Sequence, residues 1–265
     1  MINIRLQPGY IGHIFGVAIT NTFFTSLLVT FCLGALGIVF YLNRENHKSI
    51  VIDGIRILIY ELLKLTDSVT EDRVLSKNVL PLITTFFLFI VSSNVLALVP
   101  GFLGSFFVST EVGNVPLLRS PNSDLTTTVA LALFSVFSIQ LFSLRTLGIA
   151  AYFKRFFNFT GPIQFILGFF EMISEGVKIL SFSFRLFGNI FAGEVLLLVI
   201  AFLVPFVIPL PFMILEVFVG VIQAFIFAIL TLTFIKTSTM QHLTARSKVQ
   251  PAATSSSRAR GAIID

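Results

Sequence analysis

Residues 162–204 read PIQFILGFFEMISEGVKILSFSFRLFGNIFAGEVLLLVIAFLV, an apolar stretch with no proline after its first residue. A helix rises 1.5 Å per residue, so about 40 residues would make a helix about 60 Å long. The hydrocarbon core of a bilayer is only about 30 Å thick. The helix must therefore either break or cross the membrane at a steep angle, and we favour a steep tilt. The candidate breaks are weak, being the four glycines Gly168, Gly176, Gly188 and Gly193.

Polar side chains follow one face of this predicted helix. At about 100° per residue, side chains three or four positions apart share a face. A charge at the centre of a membrane helix costs roughly 2.5–3.5 kcal/mol on insertion scales. The charges on this face therefore indicate a function, or partners that compensate them. Six residues form the stripe: Glu171, Ser174, Lys178, Ser181, Arg185 and Asn189.

Part of the stripe has a purely structural explanation, but Arg185 does not fit it. Partner helices could bury the stripe, with Lys178 paired to Glu171 or Glu175. No acidic residue lies three or four positions from Arg185, and a guanidinium cannot lose its charge by a pKa shift. We therefore expect its carboxylate partner to come from elsewhere, including from another chain.

The remaining apolar stretches predict an all-α integral membrane protein with about five spans. Spanning helices are predicted over residues 21–42, 79–99 and 124–144. A fifth helix follows a proline-rich turn and runs to about residue 237 or beyond, so the last two helices form a steeply tilted antiparallel hairpin. Residues 50–65 have apolar residues at helical spacing with Arg56 and Lys64 on other faces, which favours a helix on the membrane surface.

The same reading divides the chain into four regions. Residues 1–20 precede the first span, residues 21–145 hold the first three spans and the surface helix, and residues 160–244 form the hairpin. Residues 245–265 are rich in small residues and are predicted to be disordered.

The composition excludes several classes of protein. Of the 265 residues, 12% are charged and 55% hydrophobic, whereas a soluble domain is nearer 25% charged. A soluble enzyme, a disordered chain and a nucleic-acid binder are all disfavoured. The net charge of +5 instead reflects topology: with the N-terminus outside, fourteen of 18 Lys and Arg lie in inner segments, and only Arg5 and Arg119 in outer ones. This asymmetry predicts an N-terminus outside and a C-terminus inside.

Motifs of covalent chemistry are absent from the sequence. It contains no phosphate-binding loop, no HExxH and no CxxC, and its three histidines are scattered. We predict no catalytic residues, no cofactor and no metal site. The fifth span adds two polar groups, Glu216 and Gln223, which are seven residues apart and share one face.

Two segments resemble a known family. Residues 181–194, SFSFRLFGNIFAGE, closely resemble the signature S-x-x-x-R-L-F-G-N-x-x-A-G of subunit a of the F-type ATP synthase. Residues 222–227, IQAFIF, are similar to the second signature of that family. The resemblance runs in order over roughly residues 20–240.

This resemblance implies a role for each matched position. Arg185 resembles the essential arginine that faces the rotating ring of c subunits, Asn189 the polar residue one turn on, and Gln223 the partner close to that arginine. Glu194 and Glu216 match a pair of protonatable residues in the outward access channel, where many members have one His. Less specific matches are Glu171, an acidic family position, and the possible channel-lining residues Asp124, Asn94, Ser181 and Lys178.

The implied function is that of a stator subunit with two offset half-channels. These pass protons or Na+ to and from c-ring carboxylates and couple ion flow to rotation and ATP synthesis. Its implied partners are the c-ring, the peripheral-stalk b subunits, the other ATP synthase subunits and the lipid bilayer. The expected location is the plasma membrane of a bacterium, with the mitochondrial inner membrane as the alternative.

Two other classes remain open from the residues alone. A secondary ion transporter also uses charges at the membrane midplane, but it predicts inverted internal repeats, and we find none. A structural membrane subunit of another complex would explain the polar stripe but not Arg185.

Overall fold

In a computed structural model of the chain, the described residues form six α-helices. The structure describes residues 10–14, 17–43, 50–102, 107–110, 113–116, 119–149, 152, 156, 161–204 and 207–249. Five of the helices are long and apolar enough to cross a membrane, which confirms the predicted fold class. The helices are α1 (Asn21–Leu42), α2 (Ile50–Thr70), α3 (Arg73–Phe102), α4 (Leu125–Leu147), α5 (Pro162–Leu203) and α6 (Pro209–Val249).

Short non-helical elements precede α1 and connect α3 to α4. They include two antiparallel β-hairpins that were not predicted from the sequence, one before α1 and one between α3 and α4. A single 3₁₀ turn, η1 (Pro121–Ser123), leads into α4. The strands are β1 (Tyr10–Ile14) paired with β2 (Val17–Thr20), and β3 (Phe107–Thr110) paired with β4 (Gly113–Pro116).

Side-chain caps explain where several helices begin. The hydroxyl of Thr20 accepts a hydrogen bond from the Phe23 amide and starts α1. Helix α3 starts six residues before the predicted residue 79, because Asp72 Oδ1 accepts from the Val74 amide at 2.8 Å. In the same way Asp124 caps α4 and accepts from the Thr126 amide at 3.0 Å.

Helix α2 is longer than the predicted residues 50–65. Within its polar C-terminal part, the Thr66 and Thr70 hydroxyls are satisfied by donating to carbonyl oxygens four positions earlier, at 2.7 and 2.8 Å. Both side chains are buried, and α2 packs on α3 and α6. The helix is amphipathic, and it is not among the five candidate spans.

Helix α5 is one continuous helix of 42 residues. Gly161 precedes it and Pro162 occupies its first turn, where the missing N–H of proline costs nothing. None of the four glycines breaks the helix, so its length, about 63 Å, exceeds the thickness of a bilayer core. The tilt of α5 in a membrane remains a prediction.

Helix α6 has 41 residues and ends at Val249. The first five residues of the segment predicted to be disordered, 245–249, are therefore helical. The rest of that segment, 250–265, lies outside the described residues.

The core lies where α3, α4, α5 and α6 meet. Three phenylalanine rings from different helices stack edge-on or tilted at its centre: Phe227 is 5.3 Å from Phe86 and 4.9 Å from Phe182 between ring centroids. Helix α5 presents Phe182, Leu186 and Ile190, four residues apart, to this core. The opposite face of α5 is left exposed.

Candidate functional site

Arg185 lies on the exposed face of α5. Its neighbours Phe182 and Leu186 are buried in the core, which turns Arg185 away from the other helices. Its Nη2 donates to Ser181 Oγ, one turn earlier, at 3.3 Å. Within the part of the chain that the structure describes, no carboxylate pairs with Arg185. The charge therefore faces outward without compensation from the described residues, and a carboxylate from another chain stays a prediction.

Asn189 and Gln223 join α5 to α6 beside this arginine. Asn189 Nδ2 donates to Gln223 Oε1 at 2.7 Å, and the Gln223 side chain is buried. Asn189 is one helical turn beyond Arg185 on the same exposed face. The hydrogen bond joins the two helices at the level of Arg185 and satisfies Gln223 Oε1, whereas Gln223 Nε2 is buried with no hydrogen-bond partner among the described residues.

A cluster of charged residues, the Glu194 cluster, lies further along α5 and consists of Arg119, Glu194 and Glu216. Arg119 Nε is 3.0 Å from Glu194 Oε1 and also donates to Ser123 Oγ at 3.2 Å. On α6, the carboxyl group of Glu216 packs directly on the backbone of Gly193. Glu194 and Glu216 therefore meet across the hairpin, about 13 Å along the helix axis from Arg185.

The opposite end of the stripe holds the Lys178 cluster, which consists of Glu175, Lys178 and Phe234. Lys178 Nζ is 2.8 Å from Glu175 Oε1 and lies 4.9 Å from the centroid of the Phe234 ring on α6. The structure has the Lys178–Glu175 pairing that the sequence suggested. Glu171 lies one turn earlier on α5 and is partly buried. Ser181 separates the Lys178 cluster from Arg185.

Asn94 and Asp124, the less specific matches, are both buried and hydrogen-bonded. Asn94 Oδ1 accepts from Ser120 Oγ at 3.1 Å and from Asn122 Nδ2 at 2.8 Å, and its amide reaches the Gly220 carbonyl of α6 at 3.4 Å. Asp124 caps α4 and accepts from Thr22 Oγ1 of α1 at 3.1 Å. Their contacts tie η1 to three helices, and whether they line an ion path stays a prediction.

Sequence reasoning missed the residues around η1. Arg119 was assigned to an outer loop, yet its side chain is only 10% exposed. Ser120, Asn122 and Ser123 are buried as well. One signal was present: basic residues are scarce in outer segments, so Arg119 was an exception to the rule that gave the topology.

No group of three potential metal ligands occurs among the described residues. The polar residues instead follow one another along the α5–α6 hairpin. The order is the Lys178 cluster, then Arg185 with Asn189 and Gln223, then the Glu194 cluster. Among the described residues of this series, Arg185 at its centre has no carboxylate partner.

Comparison with known sequences assigns the chain. The profile of the ATP synthase A chain family matches residues 23–236, which is most of the sequence. The chain belongs to the ATP synthase A chain family. The two signatures that suggested this family both lie within the matched region, so the resemblance seen in the sequence is confirmed.

Three curated relatives illustrate the similarity within the family. ATP synthase subunit a of Moorella thermoacetica is 37% identical over 159 residues, covering 60% of this chain and 64% of the relative. The Helicobacter acinonychis protein is 41% identical over 133 residues, covering 49% and 57%. The Legionella pneumophila protein is 27% identical over 244 residues, covering 89% and 95%. The matched segment thus spans less than two thirds of the first two relatives and nearly all of the third.

Membership of the ATP synthase A chain family decides between the classes left open. The family is one of non-catalytic, multi-pass membrane subunits, in agreement with the five candidate spans. Neither a secondary transporter nor a structural subunit of an unrelated complex fits a family match of this extent.

Proposed function

We propose that this chain is the ion-conducting stator subunit of an F-type ATP synthase in a bacterial plasma membrane. Two offset half-channels would pass protons or Na+ to and from carboxylates of a c-ring, and so couple ion flow to rotation and ATP synthesis. The partners would be the c-ring, the peripheral-stalk b subunits and the other subunits of the complex, in a lipid bilayer. The three relatives described are bacterial, which supports the choice of membrane.

The observation that carries this proposal is the position of Arg185. An exposed guanidinium in the middle of a membrane helix is costly in lipid when its one hydrogen-bond partner in the described part of the chain is Ser181. A carboxylate from a neighbouring chain would remove that cost. A ring of c subunits, each with one membrane carboxylate, presents such groups in succession.

The chemistry follows from the fixed charge. A carboxyl group facing lipid is neutral, because burial in a low dielectric disfavours its charged form. Beside Arg185 the charged form is favoured, so the group would release its ion there and reload after passing. Moving one elementary charge across 100 mV is worth about 2.3 kcal/mol. The arginine also blocks direct leakage between the half-channels, because a cation cannot pass a fixed positive charge cheaply.

The polar clusters on either side of Arg185 support two separate access routes. The Glu194 cluster lies toward the α5–α6 turn, and the Lys178 cluster lies toward the other end of the hairpin. With the N-terminus outside, as the Lys and Arg distribution predicts, the Glu194 cluster faces the outside and the Lys178 cluster the inside. Ions would thus enter at Glu194 and Glu216 and leave past Ser181 and Lys178.

Replacing Arg185 with Ala tests the proposal. We expect ATP-driven ion pumping to be abolished while the complex still assembles, since the side chain has one long hydrogen bond and supports no part of the core. The measurement is quenching of a pH-sensitive dye in inverted membrane vesicles, with and without sodium. Arg145→Ala is the matched control, because Arg145 is an exposed arginine in the last turn of α4. Normal pumping by the Arg185 variant would refute the proposed function.

Replacing the two carboxyl groups tests the outer access route. We expect Glu194→Gln combined with Glu216→Gln to impair translocation at least as much as either change alone, because the two changes together remove both carboxyl groups of the cluster. Glu61→Gln, at an exposed glutamate of α2, controls for loss of a negative charge. If the double variant translocates at the wild-type rate, neither residue belongs to the relay.

A further inference from the structure

Arg119 reaches the hairpin from outside it. The residue precedes η1, and its backbone amide donates to the Thr25 hydroxyl of α1 at 3.3 Å. From this anchored position Arg119 Nε contacts both carboxylate oxygens of Glu194, at 3.0 and 3.3 Å. The Arg119 side chain is 10% exposed and that of Glu194 30%. A permanently charged, nearly buried group therefore holds one partly buried carboxylate of the Glu194 cluster.

Glu216 has a different environment, although it faces the same cluster. Its carboxyl group lies against Gly193, where a Cβ atom would be 3.0 Å from both Cδ and Oε1. Its Oε2 is buried and accepts no hydrogen bond, and no basic side chain pairs with Glu216 in the described ranges. The second carboxyl group of the cluster is thus close to the first and lacks the first one's partner.

The Glu194 cluster has two carboxyl groups but one guanidinium, so one positive charge faces up to two negative charges. Arg119 remains protonated under all physiological conditions, and it can balance one negative charge. A second ionised carboxylate beside Glu194 would be repelled by it. Among the described residues, Asp124 also lies near this end, and it accepts from Thr22 and from the first turn of α4.

We propose that Arg119 is a positioning residue that holds Glu194 as a permanent carboxylate and leaves Glu216 as the group that takes up and releases the proton at this end of the hairpin. The inference rests on the proposed function, since it assigns roles within the outer access route. This assignment explains how two glutamates can lie side by side without both being charged. In a family where one of the pair is often His, the positive charge here comes from Arg119, before η1.

The test is a double-mutant cycle on Arg119 and Glu194, with ATP-driven proton pumping measured in membranes that contain the whole complex. Arg119→Gln leaves Glu194 without its partner, so that Glu194 and Glu216 share one proton. Glu194→Gln removes the carboxylate next to Arg119, so that the charge of Arg119 favours an ionised Glu216 instead. We expect each single change to slow ATP-driven proton pumping by about tenfold, equivalent to 1.4 kcal/mol in the barrier. The double variant Arg119→Gln/Glu194→Gln removes both charges and should pump faster than either single variant.

Two further variants separate charge from shape. Arg119→Lys keeps the charge but not the guanidinium geometry, and we expect it to pump faster than Arg119→Gln. Glu216→Gln in the double-variant background removes the last carboxyl group of the cluster and should stop pumping. Rates are normalised to the amount of complex in the membrane, and Arg145→Gln serves as the control.

The pumping rates of these variants can support or overturn the roles assigned to Arg119, Glu194 and Glu216. A double variant that does not exceed the better of the two single variants would overturn it, as would equal rates for the Lys and Gln variants at position 119. These results are distinguishable from failure of the proposed function, which would appear as normal pumping by Arg185→Ala. If Arg119→Gln fails to assemble, the two glutamates decide on their own: Glu216→Gln should stop pumping whereas Glu194→Gln only slows it, and equal rates for these two variants would overturn the assignment.

Discussion

A single methyl group at position 193 provides a sharp test of how the hairpin holds Glu216. A Cβ atom built on Gly193 lies 3.0 Å from Cδ and Oε1 of Glu216, whereas ordinary contact begins at 3.4 Å. The carboxyl group must therefore move by about 0.4 Å. Overpacking costs roughly 1–3 kcal/mol, and replacing glycine with alanine in a helix recovers up to about 1 kcal/mol. We expect Gly193→Ala to assemble.

We expect Gly193→Ala to lower the rate of proton pumping more than it lowers the stability of the protein. Misplacing a reacting group by 1 Å can cost about 10²-fold in rate, so a shift of about 0.4 Å predicts a loss on the order of five- to tenfold. The assay compares ATP-driven proton pumping with ATP hydrolysis in the same vesicles. The matched control is Gly188→Ala on the same helix, because nothing lies within 4 Å of the Cβ built there. Equal pumping by the two alanine variants would refute the reasoning.

Two other predictions concern the packing of α6. Gly220→Ala places a Cβ 3.1 Å from Asn94 Nδ2 and 3.2 Å from its Cβ, and should lower the yield of assembled complex by disturbing the contact of Asn94 on α3 with α6; Gly176→Ala, with nothing within 4 Å, is the control. Ser135→Ala removes the interhelical bond to Thr231, 2.9 Å long, while Thr231 still donates to its own helix at Phe227. The free energy of unfolding in detergent should therefore fall by only about 0.6 kcal/mol, and a loss above about 2 kcal/mol would contradict this account.

The helices were predictable where the chain itself sets their limits. Helix α1 has the predicted bounds, because an apolar run of spanning length follows Thr20 directly. The continuity of α5 was implied by the absence of proline between Pro162 and Pro205. The early start of α3 was not predicted, since Asp72 precedes a polar turn that hydropathy places outside the membrane.

The site was predictable wherever its members share a helix. Lys178 and Glu175 are three residues apart, so periodicity alone brings them together. Arg119 and Glu194 are 75 residues apart, and Asn94 is 28 residues from Asn122. Such contacts depend on how η1 folds back between α3 and α5, which no period in the sequence encodes. For Gln223, the family signature supplied what spacing could not.

The unbroken backbone of α5 has a mechanical consequence. Arg185 is the twenty-fourth of its 42 residues, so a sideways push on that residue acts near the midpoint of a rod with no joint. The helix cannot yield by hinging at Arg185, because its hydrogen-bond ladder continues on both sides. The push is instead carried to α4 and α6 through Phe182, Leu186 and Ile190 behind it. In the proposed motor, the stiffness that opposes the turning ring would thus be a property of three helices braced together.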